Sequence, residues 1–305
     1  MTATGTRPAP GAPLAPGLGA RLVSTLSAGR RYRNRLATLL ICGAVVIAAV
    51  PLGLVLMYVI RKGGAIVDVP FLTRDIPVSS RRPGPGMGPA IVGTLLITLG
   101  AAAMAIPLGV FAAVYVNEYG KGSRFAAAVR FLSDVMAGVP SIVMGLFIYT
   151  VWVITFGQSG FAGAMALGAL MLPIVIRSTE AMLKLVPNDL REGSAALGAT
   201  RSRTILTVVL PAALPGITSG ALLAIARAAG ETAPLLFTIG AARTLNLSLF
   251  EGVNTALSTQ IFANAQQPFL PAQDRAWGAA LTLIVLVLVL TVLGRLISSR
   301  FSTKR

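Results

Sequence analysis

Residues 36–60 read LATLLICGAVVIAAVPLGLVLMYVI, an unbroken run of 25 residues without a charge. At 1.5 Å of rise per residue, a helix of that length crosses a hydrocarbon layer roughly 30 Å thick. The run is too long for the apolar part of a signal peptide, and no convincing cleavage site follows it. The rest of the composition agrees. Hydrophobic residues make up 55% of the 305-residue chain and charged residues 12%, and the mean hydropathy is +0.79. Soluble domains are about 25% charged. A chain with half that share cannot clothe its surface in charge, so lipid is its solvent over much of its length.

Five more apolar stretches follow that block, at about 90–116, 131–156, 160–177, 212–240 and 276–297. The expected fold is therefore all-α, a polytopic membrane helix bundle of about six transmembrane helices. The fourth stretch is short, and the fifth is interrupted by Arg227, Glu231 and Pro234. Gly and Pro recur inside the spans (Pro51, Pro107, Gly109, Pro140, Gly145, Pro173), where small residues permit close packing and proline breaks are satisfied within a bundle. Residues 1–35 are expected to be a cytoplasmic tail, disordered over its Pro-, Ala- and Gly-rich start. Residues 36–297 form the transmembrane domain, and 298–305 a short C-terminal tail. With the N-terminus inside, 18 of the 26 basic residues fall in inside segments and 7 in outside ones, with Arg227 in a span. The positive-inside rule thus places both termini in the cytoplasm, although Arg81 and Arg82 in the first outside loop run against it.

Several classes of function are excluded or weakened. The one cysteine, Cys42, allows no intrachain disulfide. The absence of histidine removes the commonest metal ligand, the usual neutral-pH proton shuttle and any Ser-His-Asp triad. The net charge of +16 sits at helix ends, where topology and anionic lipid account for it, so no nucleic-acid partner is implied. No G-x-x-x-x-G-K-[ST] loop is present, because Gly120-Lys121-Gly122-Ser123 is only a fragment of one. ATP cannot be bound by that route, and any ATP-driven motor must be a separate subunit. Asp134 reads as a polar packing or helix-end residue rather than a catalyst.

Two features carry function. The first is the polar segment at about 178–211. It holds Arg191-Glu192-Gly193-Ser194-Ala195-Ala196-Leu197-Gly198-Ala199 and continues to Val208-Val209-Leu210-Pro211. On chemistry alone it reads as a helical hairpin at the membrane surface, with Gly198 free to make a tight turn. The second is charge at membrane depth. Arg227 and Glu231 stand four apart, the spacing of one helix face, and Arg177 and Glu180 stand three apart at the end of the fourth stretch. Such charges are costly in lipid and tend to face the bundle interior and pair. They read either as structural ion pairs or as a cationic lining for an anion path, with the carboxylates limiting over-tight binding.

The spacing from Glu192 to Gly198, then to Val208, Leu210 and Pro211, resembles the EAA loop of ABC importer permeases. Gly193 and Ser194 replace two alanines of that pattern, and Val208 replaces an isoleucine. The resemblance implies that a short coupling helix at about 192–203 seats in a cleft of an ATPase subunit. Glu192, Gly198, Ala199, Arg201 and Arg203 are then the coupling residues, the two arginines meeting acidic groups of the partner.

A more specific resemblance rests on Ile176–Leu183, on Leu222–Leu236 with its Ala226-Arg227-Ala228-Ala229-Gly230-Glu231-Thr232-Ala233-Pro234 run, and on Val92–Leu95. From about residue 88 onward these are similar to the PstA family of phosphate-specific ABC importer permeases. The resemblance implies a type I importer permease fold in the bacterial plasma membrane and passage of phosphate past Arg177, Glu180, Arg227 and Glu231. It implies four kinds of partner: a related permease half (PstC-type), a dimeric ATPase (PstB-type) that binds the ATP and Mg, an extracytoplasmic phosphate-binding protein (PstS-type), and the lipid membrane. No cofactor is expected in this chain. The alternatives are a permease for another oxyanion such as sulfate or molybdate, an ion-coupled secondary transporter, and a non-transporting scaffold or sensor. A secondary transporter needs no such loop and usually shows inverted repeats, and no convincing repeat is visible.

Overall fold

The computed structural model describes residues 28–84, 86–120 and 122–302. The 1–27 part of the expected tail lies outside them. The apolar blocks form helices, as backbone groups in lipid must be satisfied within the segment. Among the described residues, five helices are long and apolar enough to cross a membrane: Tyr32–Gly64, Gly88–Tyr119, Gly160–Leu185, Arg201–Gly230 and Leu270–Leu296. A bent pair, Arg124–Gly138 with Ser141–Phe156, makes a sixth if counted as one span. In chain order these are spans one to six, the bent pair being the third.

The helix boundaries differ from the hydropathy blocks for local reasons. The first helix begins at Ala28, because the arginines before the apolar run are themselves good helix formers. The third block does not run straight. Its two halves meet at 105°, at Val139 and Pro140. Proline disfavours helical backbone at the residue before it, and Val139 is extended, with φ −71° and ψ 129°. Span five ends at Gly230 rather than near 240, because Glu231 leaves the helix at φ −70° and ψ 132°.

By internal contacts the chain divides into two compact units, residues 1–57 and 58–305. In the first, the described helix leaves its leucines, isoleucines and valines exposed on all sides. In the second, the core lies where spans two, four and five meet. It is built from Ile97, Ala101 and Ala105, from Leu167, Met171 and Val175, and from Ala224 and Ala228. Small residues let these backbones approach closely. A Cβ at Gly109 would stand 2.7 Å from Val175 Cγ1, too close for any side chain. A second cluster of Phe71, Met87, Leu257 and Ala279 packs the segment before span two against span six. Long-range bonds hold this end together, among them the Leu257 N–H to Thr94 Oγ1 at 2.8 Å and the Ile76 N–H to the Arg243 carbonyl at 2.9 Å. A third cluster, Leu183, Val186, Val209, Ala213 and Ile217, closes the opposite end, where the chain leaves span four and re-enters span five.

Candidate functional site

Between spans four and five, Pro187 stops the preceding helix and a new one runs Asn188–Ala196. Gly198 then turns the chain at φ +80°, a left-handed conformation that favours glycine. Three bonds close the turn. The N–H groups of Leu197, Gly198 and Ala199 donate to the carbonyls of Gly193, Ala195 and Ser194 at 3.2, 2.9 and 3.2 Å. Thr200 starts the next helix, its Oγ1 accepting from the Arg203 N–H at 3.4 Å. Glu192, Gly198 and Arg203 are exposed and Ala199 is half-buried. Leu197, at the tip, is 90% exposed.

Arg201 corrects one expectation. Its guanidinium is already engaged inside the chain, bonding the Glu118 carbonyl and lying over the Tyr119 ring, 5.1 Å from the centroid, while the residue stays exposed. Two residues of this region escaped sequence reasoning. Arg191 Nη2 meets Glu118 Oε1 at 2.9 Å, with side-chain exposures of 18% and 5%. An acidic residue at the end of an apolar helix and an arginine in a polar loop were visible singly, but nothing local links positions 73 apart.

The second correction concerns Arg177 and Glu180, which do not pair with each other. Arg177 bonds Asp134, and Glu180 accepts from Arg130 Nε at 2.8 Å and meets Lys184 at 2.9 Å. The helix Arg124–Gly138 packs along span four and presents Arg130 and Asp134, one turn apart. Arg177 therefore finds its opposite on the neighbouring helix, and Glu180 is shared between Arg130 on that helix and Lys184 one turn along its own.

The third correction concerns Arg227. It remains in span five, but Glu231 lies beyond the helix end, so the two do not share a helix face. Their contact is loose, with Nε to Oε1 at 3.8 Å. The Glu231 carbonyl is held by the Ser258 hydroxyl at 2.9 Å. Arg227 does not face this chain's own interior. Its side chain is 69% exposed, and the crevice it shares with Leu170, Met171, Ile174 and Glu231 has a volume of about 10 Å³, barely one water. An anion at Arg227 must therefore approach from outside this chain. Ile174 of that crevice is three residues before Arg177, but no ion pair or hydrogen bond joins the Arg177 and Arg227 clusters among the described residues.

Residues 105–303 match the family of binding-protein-dependent transport system inner membrane components. The phosphate transport system permease protein PstA of Mycobacterium leprae is 43% identical over 273 residues, 88% of this chain and 90% of its own length. The chain belongs to the PstA permease family. PstA of Yersinia pestis is 40% identical over 274 residues, 90% of this chain and 92% of its own. Among solved structures, a bacterial alginate ABC transporter superposes with a TM-score of 0.61 at 15% identity, over 89% of this chain and 96% of that one. The MetNI methionine ABC transporter gives 0.56 at 19%, over 70% and 93%. PstA-family membership and this fold make the chain a multi-pass inner-membrane component of an ABC importer, and the reading as an ion-coupled secondary transporter falls away.

Proposed function

We propose that this chain forms one half of the permeation path of an ATP-driven phosphate importer. The observation that carries the proposal is Arg227. A guanidinium at the end of an apolar span is costly unless something negative meets it. This one is only loosely held by Glu231 and opens outward from its own chain, the side on which a related permease half would complete a path. Arginine keeps its charge at any working pH and offers several donors to an oxyanion. Arg177 and Glu180, tied to the neighbouring helix, line the approach. The ATP and Mg are held by a separate ATPase dimer, since this chain carries no nucleotide loop. The helix Asn188–Ala196 and the turn at Gly198 seat in that dimer, with Glu192, Ala199 and Arg203 beside the contact. An extracytoplasmic binding protein delivers the phosphate, and both termini lie in the cytoplasm.

The test is substrate uptake by the complex. The chain is co-expressed with its partner permease, ATPase and binding protein, then reconstituted into vesicles and offered labelled phosphate, sulfate or molybdate. ATP-dependent accumulation of phosphate alone is expected. Accumulation of either other oxyanion in preference to phosphate would overturn the assignment. Reporter fusions at the C-terminus and in the 245–270 segment check the orientation, and a C-terminal fusion active only outside the cytoplasm would reverse it.

A further inference from the structure

We propose that Glu118 is a positioning residue that clasps the coupling loop to the end of span two, so that movement of the loop is delivered to the bundle through one buried residue. This rests on the coupling role proposed above.

Span two does not end as an ordinary α-helix. Its last residues, Tyr115–Tyr119, form a π-helical turn, closed by the Gly120 N–H on the Tyr115 carbonyl at 2.7 Å. Single π turns of this kind are often found at functional positions. A helix end leaves carbonyls without partners in the helix, and here arginines from other elements take two of them. Arg130 Nη2 donates to the Val116 carbonyl at 3.2 Å, and Arg201 takes the Glu118 carbonyl.

The Glu118 side chain is buried, with 5% exposure. A buried carboxylate is tolerated only when it is paired and hydrogen-bonded. Asn117 Nδ2 donates to its Oε1 at 2.8 Å, and Arg191 Nη2 at 2.9 Å. Arg191 also donates to the Val186 carbonyl at 2.7 Å and to the Leu183 carbonyl at 2.9 Å. It therefore joins the ends of spans two and four.

The positions of the two arginines matter most. Arg191 lies in the helix before the Gly198 turn, and Arg201 in the helix after it. Both arms of the loop are thereby fastened to the same residue, one through its side chain and one through its backbone. Each arginine reaches Glu118 through a single Nη2, and the Arg191 guanidinium is held in place by its further bonds to the Val186 and Leu183 carbonyls. From the π turn the polar chain continues through Arg130 to Glu180 on span four, the span that carries Arg177 and the Arg227 crevice. A load on the loop thus has a set of guanidinium-to-oxygen bonds, joined through the backbone of the π turn, along which to reach the proposed path.

The experiment measures ATP hydrolysis and labelled phosphate uptake on the same vesicles, carrying the full complex with wild-type chain, Glu118→Gln or Glu118→Asp. The expected result is an assembled Glu118→Gln complex whose phosphate taken up per ATP hydrolysed falls about tenfold, with part of the ratio recovered in Glu118→Asp. A residue that only stabilised the fold would lower the amount of complex and leave the ratio unchanged, and a wild-type ratio in assembled Glu118→Gln overturns the clasp. Where Glu118→Gln does not assemble, Arg201→Ala on the exposed side of the loop takes its place. A wild-type ratio there overturns the clasp, and a fall of similar size supports it. Wild-type vesicles that hydrolyse ATP but take up no phosphate overturn the transport reading itself, and the clasp with it.

Discussion

Arg130 and Glu180 meet at 2.8 Å across two packed helices, and one turn further along each helix Asp134 meets Arg177. The two rungs have opposite polarity, so each of these four charges is opposed across the helix pair. Their burial differs. Glu180 is largely enclosed, whereas Arg177 and Asp134 are both more than half exposed.

That difference predicts separable effects. Glu180 keeps Lys184 when Arg130 is removed, so Arg130→Gln should cost about 1 kcal/mol rather than the larger penalty of a stranded buried charge. Thermal unfolding of the purified complex should shift by a few degrees. Arg177→Gln breaks an exposed pair worth well under about 1 kcal/mol and should leave the unfolding temperature in place while lowering phosphate uptake. A large stability loss in Arg177→Gln with normal uptake per assembled complex would make that rung architectural.

Gly198 separates backbone strain from contact with the ATPase. A Cβ at this position meets nothing within 4 Å, so Gly198→Ala costs only the left-handed backbone, about 1–2 kcal/mol. Gly198→Asn, which tolerates that conformation better, should transport more than Gly198→Ala. Gly198→Trp fills the open space where the motor is proposed to seat, and should lose co-purifying ATPase and uptake together. Normal uptake by Gly198→Trp would remove the coupling role from this turn.

Leu197 projects from the tip of the loop with almost its whole side chain in solvent. An apolar residue so exposed at the end of a polar hairpin fits a socket on another protein. Burying a leucine contributes about 1.5–3 kcal/mol, so Leu197→Ser should weaken ATPase retention about tenfold or more. The helical content of the isolated permease should not change. Titration of the ATPase subunit against detergent-solubilised permease checks the first, and circular dichroism of the permease alone checks the second.

Arg227→Gln should leave the complex assembled and its ATPase present but abolish phosphate uptake. The decisive variant is the double one, Arg227→Gln with Glu231→Gln. If Arg227 meets the anion, removing Glu231 as well restores nothing. If the pair serves only architecture, the double change removes both uncompensated charges and transport returns. Uptake by the double variant, measured beside its assembled amount, distinguishes the two, and full transport would leave the phosphate assignment without support from this residue.

Much of the molecule is legible along the chain. The 36–60 run, the other apolar blocks and the low charge determined a polytopic helical membrane protein, because the transfer of apolar side chains into lipid is summed residue by residue and needs no knowledge of neighbours. The turn at Gly198 was equally local, since a left-handed backbone is a property of one residue. The family followed from runs such as Ala226–Pro234, which are contiguous. Tertiary structure alone decided how the charges are shared. Arg177 finds Asp134 across 43 positions, Arg130 finds Glu180 across 50, and Arg191 finds Glu118 across 73, so the near pairing of Arg177 with Glu180 suggested by spacing did not form. Hydropathy is additive along a sequence, but an ion pair forms with whichever opposite charge the packing brings within reach, and that choice is made by neighbouring helices. The same reason hid the outward opening of Arg227, because the face a residue turns to its own bundle is fixed only when spans two, four and five have closed around their alanine-rich core.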